Sequence, residues 1–359
     1  MARKTLIVLA LTLAATANAA PLPLADNIPA GKDGVMTYIG KESKTTAPLA
    51  LTLDPEGGET VATIPQGGKA TVLLHDGKGH TLVTNHFGLT GWAQPASSAE
   101  NNDDFPALEK SELREKGGDP IFSLHYLPAL GKTMHGTYNK NDEGQPVPYD
   151  PKAENSDLTY DHLLDTALKA GGETYHVYCS AGMSDDYGCN FLSEGSSLDN
   201  SAGLGGQDFY IPGNGYVYTD FDSSGGSLHR KRQKWAFDGK DVKEVAQPYY
   251  YLGIKSTYHG DDNDSTGKLD KKATLALTDA SGQKVATLKA GDKITLVLAD
   301  ARYDCPADDR TGSEDYPICQ EARVLVKMAD GTLGWITASY NYRTKDRSPR
   351  IDGLHPLAG

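Results

Sequence analysis

The 359-residue chain sets 35 Lys and Arg against 48 Asp and Glu, a net charge of −13, with 38% hydrophobic residues and four cysteines. Affinity for nucleic acid and for anionic lipid comes from clustered cations, so this balance argues against either as a general partner. The length accommodates two or three domains.

Residues 1–19 read as a secretory signal peptide. Arg3 and Lys4 form a basic head, Thr5 to Ala15 an apolar run, and Ala17-Asn18-Ala19 a small-residue cleavage pattern. The run is shorter than the roughly 20 residues that cross a bilayer. The expectation is a soluble chain of net charge −15, periplasmic or secreted, with no membrane span after cleavage.

Residues 36–95 read as short strands separated by Gly and Asp turns. Thr71-Val-Leu-Leu74 is a core strand, Leu82-Val83 another, and Phe87-Gly-Leu-Thr-Gly-Trp92 closes the unit.

Residues 103–247 form a central β-rich α+β module. One helix is predicted over 157–170, with Ser156 as N-cap, apolar residues at 158, 163, 164, 167 and 168, and Gly171 as the stop. Strands follow at Tyr175–Tyr178, Phe209–Ile211, Tyr216–Tyr218 and Lys234–Phe237, with Asp238-Gly239 as a hairpin signal.

Residues 248–340 repeat the first unit. Val61 to Asp76 aligns with Val285 to Asp300 at an offset of 224 residues. Tyr38-Ile-Gly40 matches Tyr251-Leu-Gly253, and Gly91-Trp92 matches Gly334-Trp335. Such ordered self-similarity marks a duplication. The second copy is longer by 11 residues between Gly253 and Val285 and by 19 between Asp300 and Trp335. Residues 341–359 read as a tail.

The order of apolar strand, Gly turn, strand and terminal Gly-Trp resembles the bacterial SH3 domain family. The resemblance covers 36–95 and 248–340 and implies a small β-barrel for each copy. The stretch from Tyr210 to Tyr218, followed by 234–251, is similar to exported SH3-repeat proteins that place a β-module before a barrel. The fold expected is mainly β: two SH3-like β-barrels flanking a central β-rich module with one helix.

The cysteines fall in two close pairs, Cys179 with Cys189 and Cys305 with Cys319. Three connectivities are possible; proximity in an oxidising compartment favours the two local bridges as structural staples. Cys179-Ser180-Ala181-Gly182 is similar to the Cys-Ser-Gly of cell-wall cysteine peptidases. Here a polar Met-Ser-Asp-Asp run follows it, and Cys189 stands ready to oxidise the thiol. The nucleophile-elbow, zinc-helix and phosphate-loop patterns of common enzymes are missing.

The candidate ligand-binding residues are Tyr38, Trp92, Tyr249, Tyr251 and Trp335. Aromatics that recur in both copies suit stacking on a sugar or clamping a peptide, though Gly-Trp pairs also fill cores. Asp262, Asp264 and Asp270 approach a calcium loop, but Ala273 stands where an EF-hand places its bidentate Glu, and a solvated loop is the favoured reading. His75, His80 and His86 lie close in sequence yet match no zinc spacing, which favours turn histidines. These features point to a non-catalytic binding module for cell-wall peptide or glycan, or for an exported protein partner. The alternatives are an envelope hydrolase with its site in the central module, and an inhibitor or adhesin.

Overall fold

The structure, a computed structural model, describes residues 21–96, 103–114, 120–131, 133–141, 143, 145–148, 160–166, 174–180, 188–197, 201–221, 228–238, 241–262, 269–270, 274–303, 319–341 and 346–354. It is mainly β, and among the described residues there is no α-helix.

The first repeat is one six-stranded sheet of β1 (Thr37–Lys44), β2 (Leu49–Asp54), β3 (Gly57–Ile64), β4 (Lys69–His75), β5 (Thr81–Asn85) and β6 (Thr90–Pro95), in the order β1-β4-β5-β6-β2-β3. Inward residues Leu49, Leu51, Ala62, Ile64, Val72 and Val83 form its core.

The central module begins with β7 (Glu109–Arg114), β8 (Pro120–Tyr126), β9 (Thr133–Lys140), β10 (Pro146–Pro148), β11 (Tyr160–Thr166) and β12 (Tyr175–Ser180). It continues with β13 (Gly188–Ser193), β14 (Ala202–Gly205), β15 (Asp208–Ile211), β16 (Tyr216–Phe221), β17 (Lys231–Asp238) and β18 (Asp241–Glu244). These make two six-stranded sheets, β10-β9-β11-β12-β13-β14 and β18-β17-β16-β15-β8-β7. They share one core, in which Phe122, Phe209, Val217 and Phe237 of one sheet meet Tyr175, Val177, Phe191 and Leu204 of the other. This is a β-sandwich.

The helix expected over 157–170 is corrected by β11. Its backbone pairs on one side with β12 (Leu163↔Val177) and on the other with β9 (Tyr160↔Tyr138). Adjacent Leu163 and Leu164 share one face of a helix but opposite faces of a strand. Tyr160, His162 and Thr166 favour the extended chain, and a ladder on both sides overrides local helix propensity. Residues 157–159 and 167–170 lie outside the described residues. The hairpin signal at 238–239 falls where β17 and β18 pair, Asp238 opposite Asp241; residues 239 and 240 lie outside the described residues.

The second repeat comprises β19 (Tyr249–Asp262), β20 (Leu269–Asp270), β21 (Thr274–Thr278), β22 (Lys284–Lys289), β23 (Lys293–Asp300), β24 (Cys319–Met328), β25 (Leu333–Asn341), β26 (Asp346–Ser348) and β27 (Arg350–Ile351). Its main path, β19-β23-β24-β25-β21-β22, follows the strand order of the first repeat. The registers also correspond. Tyr38↔Leu74 answers Tyr251↔Leu298, Leu51↔Ala62 answers Leu277↔Ala286, and Leu82↔Trp92 answers Leu325↔Trp335.

Two glycine positions show why the repeated phrases repeat. Gly40 and Gly253 sit at β-bulges with φ of +60° and +65°, and the rings of Tyr38 and Tyr251 lie where a Cβ would project. A Cβ on Gly91 or Gly334 would come within 2.7 or 2.6 Å of Leu51 Cβ or Leu277 Cβ, so the strand carrying each tryptophan passes its neighbour with no room for a side chain.

Each repeat is finished by a strap from elsewhere in the chain. Residues 21–33 run along β1: Ala25 N donates to Lys44 O (2.8 Å) and Asp26 N to Ser43 Oγ (3.1 Å). Residues of the expected tail do the same for β19. Ile351 pairs with Tyr258, and Ser256 Oγ donates to Asp352 O at 2.6 Å. Ser43 and Ser256 are equivalent positions, and both are buried.

Candidate functional site

The structure brings the five sequence-predicted aromatics together, at the seam where the two repeats meet. Leu73, Leu74, Leu82 and Trp92 of the first repeat share one core with Val297, Leu298, Leu325 and Trp335 of the second, and Tyr38, Tyr249 and Tyr251 pack at its margin. Trp92 is 7% exposed and Trp335 5%. Burying a large aromatic removes about 150–250 Å² from water, worth roughly 4–6 kcal/mol per ring at 25 cal/mol/Å². Neither indole therefore offers an open face for stacking on a ligand. The tyrosines are half-buried. Burial and the neighbouring Tyr251 raise the Tyr38 pKa, while burial and Asp300 raise that of Tyr249. Cations of the second repeat cover the seam: Lys327 Nζ lies 4.9 Å from the Tyr38 ring centre, and the Arg323 guanidinium 4.9 Å from that of Trp335.

A cavity with the means to hold a small ligand lies elsewhere. A cleft of about 900 Å³ opens between the strap 21–33 and the first repeat, lined by Ile28, Lys32, His75, His80, Thr81 and Gln94 among others. His75 fixes its floor. His75 Nε2 donates to Pro29 O (3.0 Å), which leaves Nδ1 to accept from the Thr81 hydroxyl (2.8 Å). Gly31 allows the strap this approach, since a Cβ there would fall 2.6 Å from His75 Cβ.

His80 forms the opposite wall. Its Nδ1 is 2.6 Å from Asp76 Oδ2 and its Nε2 3.3 Å from Glu56 Oε1. Asp76 also accepts the backbone N–H groups of Lys78 (2.7 Å) and His80 (3.0 Å). Burial raises the Asp76 pKa, but the bonds from the His80 ring and these two amides outweigh it, so the carboxyl titrates below its ordinary value. The result is a rigid, oriented imidazole beside a cavity with apolar, hydroxyl, amide and ammonium groups.

His86 stands apart from the other two, against Asp104 (3.4 Å) and edge-on to Phe105. Among the described residues no three His, Cys, Asp or Glu side chains gather as a metal site. Of the acidic loop, Asp262 and Asp270 lie on paired strands, where Asp262↔Leu269 and Asp261↔Asp270 are partners. Asp264 lies outside the described residues. Cys179 and Cys189 are bonded across directly paired positions of β12 and β13, so the Cys179 sulfur is no free nucleophile. Cys319 opens β24, and its expected partner Cys305 lies outside the described residues.

Sequence reasoning missed a buried charge pair that docks the sandwich onto the first repeat. Lys234 Nζ is 2.7 Å from Asp103 Oδ1, and both side chains are at most 3% exposed. Tyr218 OH also donates to Asp103, and Thr63 N–H donates to Asp103 Oδ2 at 2.7 Å. Lys234 opens the apolar phrase Trp235-Ala-Phe237, but it also ends the polar run Lys231-Arg232-Gln233, which reads as solvated and hides the signal. Comparison with family models, with curated proteins and with solved structures finds no match to the chain.

Proposed function

We propose that this is an exported envelope protein acting as a non-catalytic binder of cell-wall peptide or glycan, its two repeats being SH3-like barrels fused face to face. One observation carries the reading: the cleft of about 900 Å³ beneath the strap. Its size suits a short oligomer. Ile28, Pro21 and Pro29 supply apolar contact, His80 a fixed wall, the oxygens of Thr81 and Gln94 acceptors for amides and hydroxyls, and Lys32 a donor for a carboxylate. The ligand-binding role passes from the paired tryptophans, which fill the seam, to this cleft.

The test is co-sedimentation of the mature protein with purified wall sacculi. We expect retention, weakened about ten-fold in the double variant Lys32→Glu/His80→Ala, a loss of about 1.4 kcal/mol in binding. No retention by the parent protein removes the proposal. Release of soluble wall fragments by the parent replaces it with a hydrolase.

A further inference from the structure

The duplication permits a comparison within one molecule. In the first repeat the outer edge of β3 is occupied. Thr63 N–H donates to Asp103 Oδ2, the Asp103 N–H returns to Thr63 O at 3.2 Å, and Lys234 Nζ reaches Val61 O at 3.3 Å. Val61 is fully buried. An acidic residue from outside the repeat thus completes this edge.

β22 is the counterpart of β3 in the second repeat, with Val285 for Val61 and Thr287 for Thr63. It ends its sheet path as β3 does and holds the same register to its neighbour. Among the described residues no strand pairs with its outer edge, where only the last residue is engaged, Lys289 N donating to Asp292 Oδ2 at 2.8 Å, and Val285 is 45% exposed. Open strand edges are templates for pairing with another chain.

Two features select the occupant. On the first repeat, Phe87 and Leu89 give the sandwich an apolar footing against Tyr218. The equivalent residues of the second repeat are Asp330 and Thr332, folded into their own turn by a 2.9 Å bond from Thr332 N to Asp330 Oδ1. A folded domain would find no apolar seat there, whereas an extended strand needs only the edge. Charge is the second feature. Exposed Lys284 and Lys289 bracket β22, and this local pair of cations, set against a chain of net charge −13, complements an acidic segment.

We propose that the outer edge of β22 takes up an extended acidic segment of a partner protein by strand addition, with a carboxylate at Thr287 where Asp103 sits at Thr63. The site is separate from the cleft and stands or falls independently of it. The probe is a fluorescein-labelled peptide of residues 100–108 of this chain, which contains Glu100, Asp103 and Asp104, titrated against the full mature protein by anisotropy. Saturable binding is expected, weakened at least about ten-fold by Lys284→Glu/Lys289→Glu and by Thr287→Pro, which removes the outward N–H. The same peptide carrying Asp103→Lys should not bind. If the proline variant fails to fold, the charge-reversed protein, checked by its melting temperature, decides. No saturation up to about 1 mM peptide, or equal binding by parent and charge-reversed protein, overturns the proposal.

Discussion

The ring of Tyr249, in the second repeat, meets Trp92 of the first edge-on, with centroids 6.4 Å apart and planes at 71°. The same ring lies 5.9 Å from Trp335, so one side chain couples the two tryptophans. Trp92→Ala and Trp335→Ala should each cost about 3–5 kcal/mol in urea unfolding. The double variant should cost less than the sum, because the two sites share a neighbour. A loss under about 1 kcal/mol for either single change would mean that the seam is not a packed core.

The Asp103–Lys234 pair makes a second prediction. Breaking a buried, hydrogen-bonded ion pair from one side leaves an uncompensated charge and costs about 3–5 kcal/mol. Lys234→Met should therefore destabilise strongly in chemical denaturation, although it keeps the length of the side chain. An effect below about 1 kcal/mol would show that the pair is solvated in solution.

His229 should make stability depend on pH. Burial holds its pKa down to about 4, against an ordinary 6.5, the bond to the Arg230 carbonyl opposing and Lys231 adding to the depression. The unfolded chain then binds the proton first. Stability from this group is full above about pH 6.5 and falls as the pH drops toward 4, by about 3 kcal/mol in all. Replacing His229 by Gln should flatten unfolding free energy across that window; an unchanged slope would place the effect elsewhere.

Non-reducing mass analysis of the protein should find no free thiol, with bridges 179–189 and 305–319. A bridge between 179 and 305 would refute local pairing. Replacing both Cys179 and Cys189 by Ser should cost about 3 kcal/mol or less, the chain-entropy estimate for so short a loop.

Much of the repeat architecture was legible because its constraints are local. Tyr38-Ile-Gly40 and Tyr251-Leu-Gly253 spell a bulge that only glycine tolerates beneath a tyrosine ring. The seam was not legible, since an outward aromatic that meets a ligand and one that meets a second repeat have the same sequence pattern. β11 was not legible because Leu163 and Leu164 share a helical face, and only the distant strands β9 and β12 draw the segment into a sheet. The cleft escaped for a similar reason. His75 and Pro29 are 46 residues apart, and no periodicity links a strap to a turn.

The straps bear on the order in which the protein can be finished. The first repeat has its strap and all six strands in hand by Pro95, and lacks then the Asp103 that completes β3 and the Tyr218 that packs on its core. The second repeat can seal β19 only when Ile351 and Leu354 arrive to fill its core. Until then the positions around Ser256 and Tyr258 present an unfilled edge, the kind of surface on which half-made chains associate. Residues 350–354 therefore act as a latch set after the strands of the repeat they close, and that repeat is most in need of shielding just before they emerge.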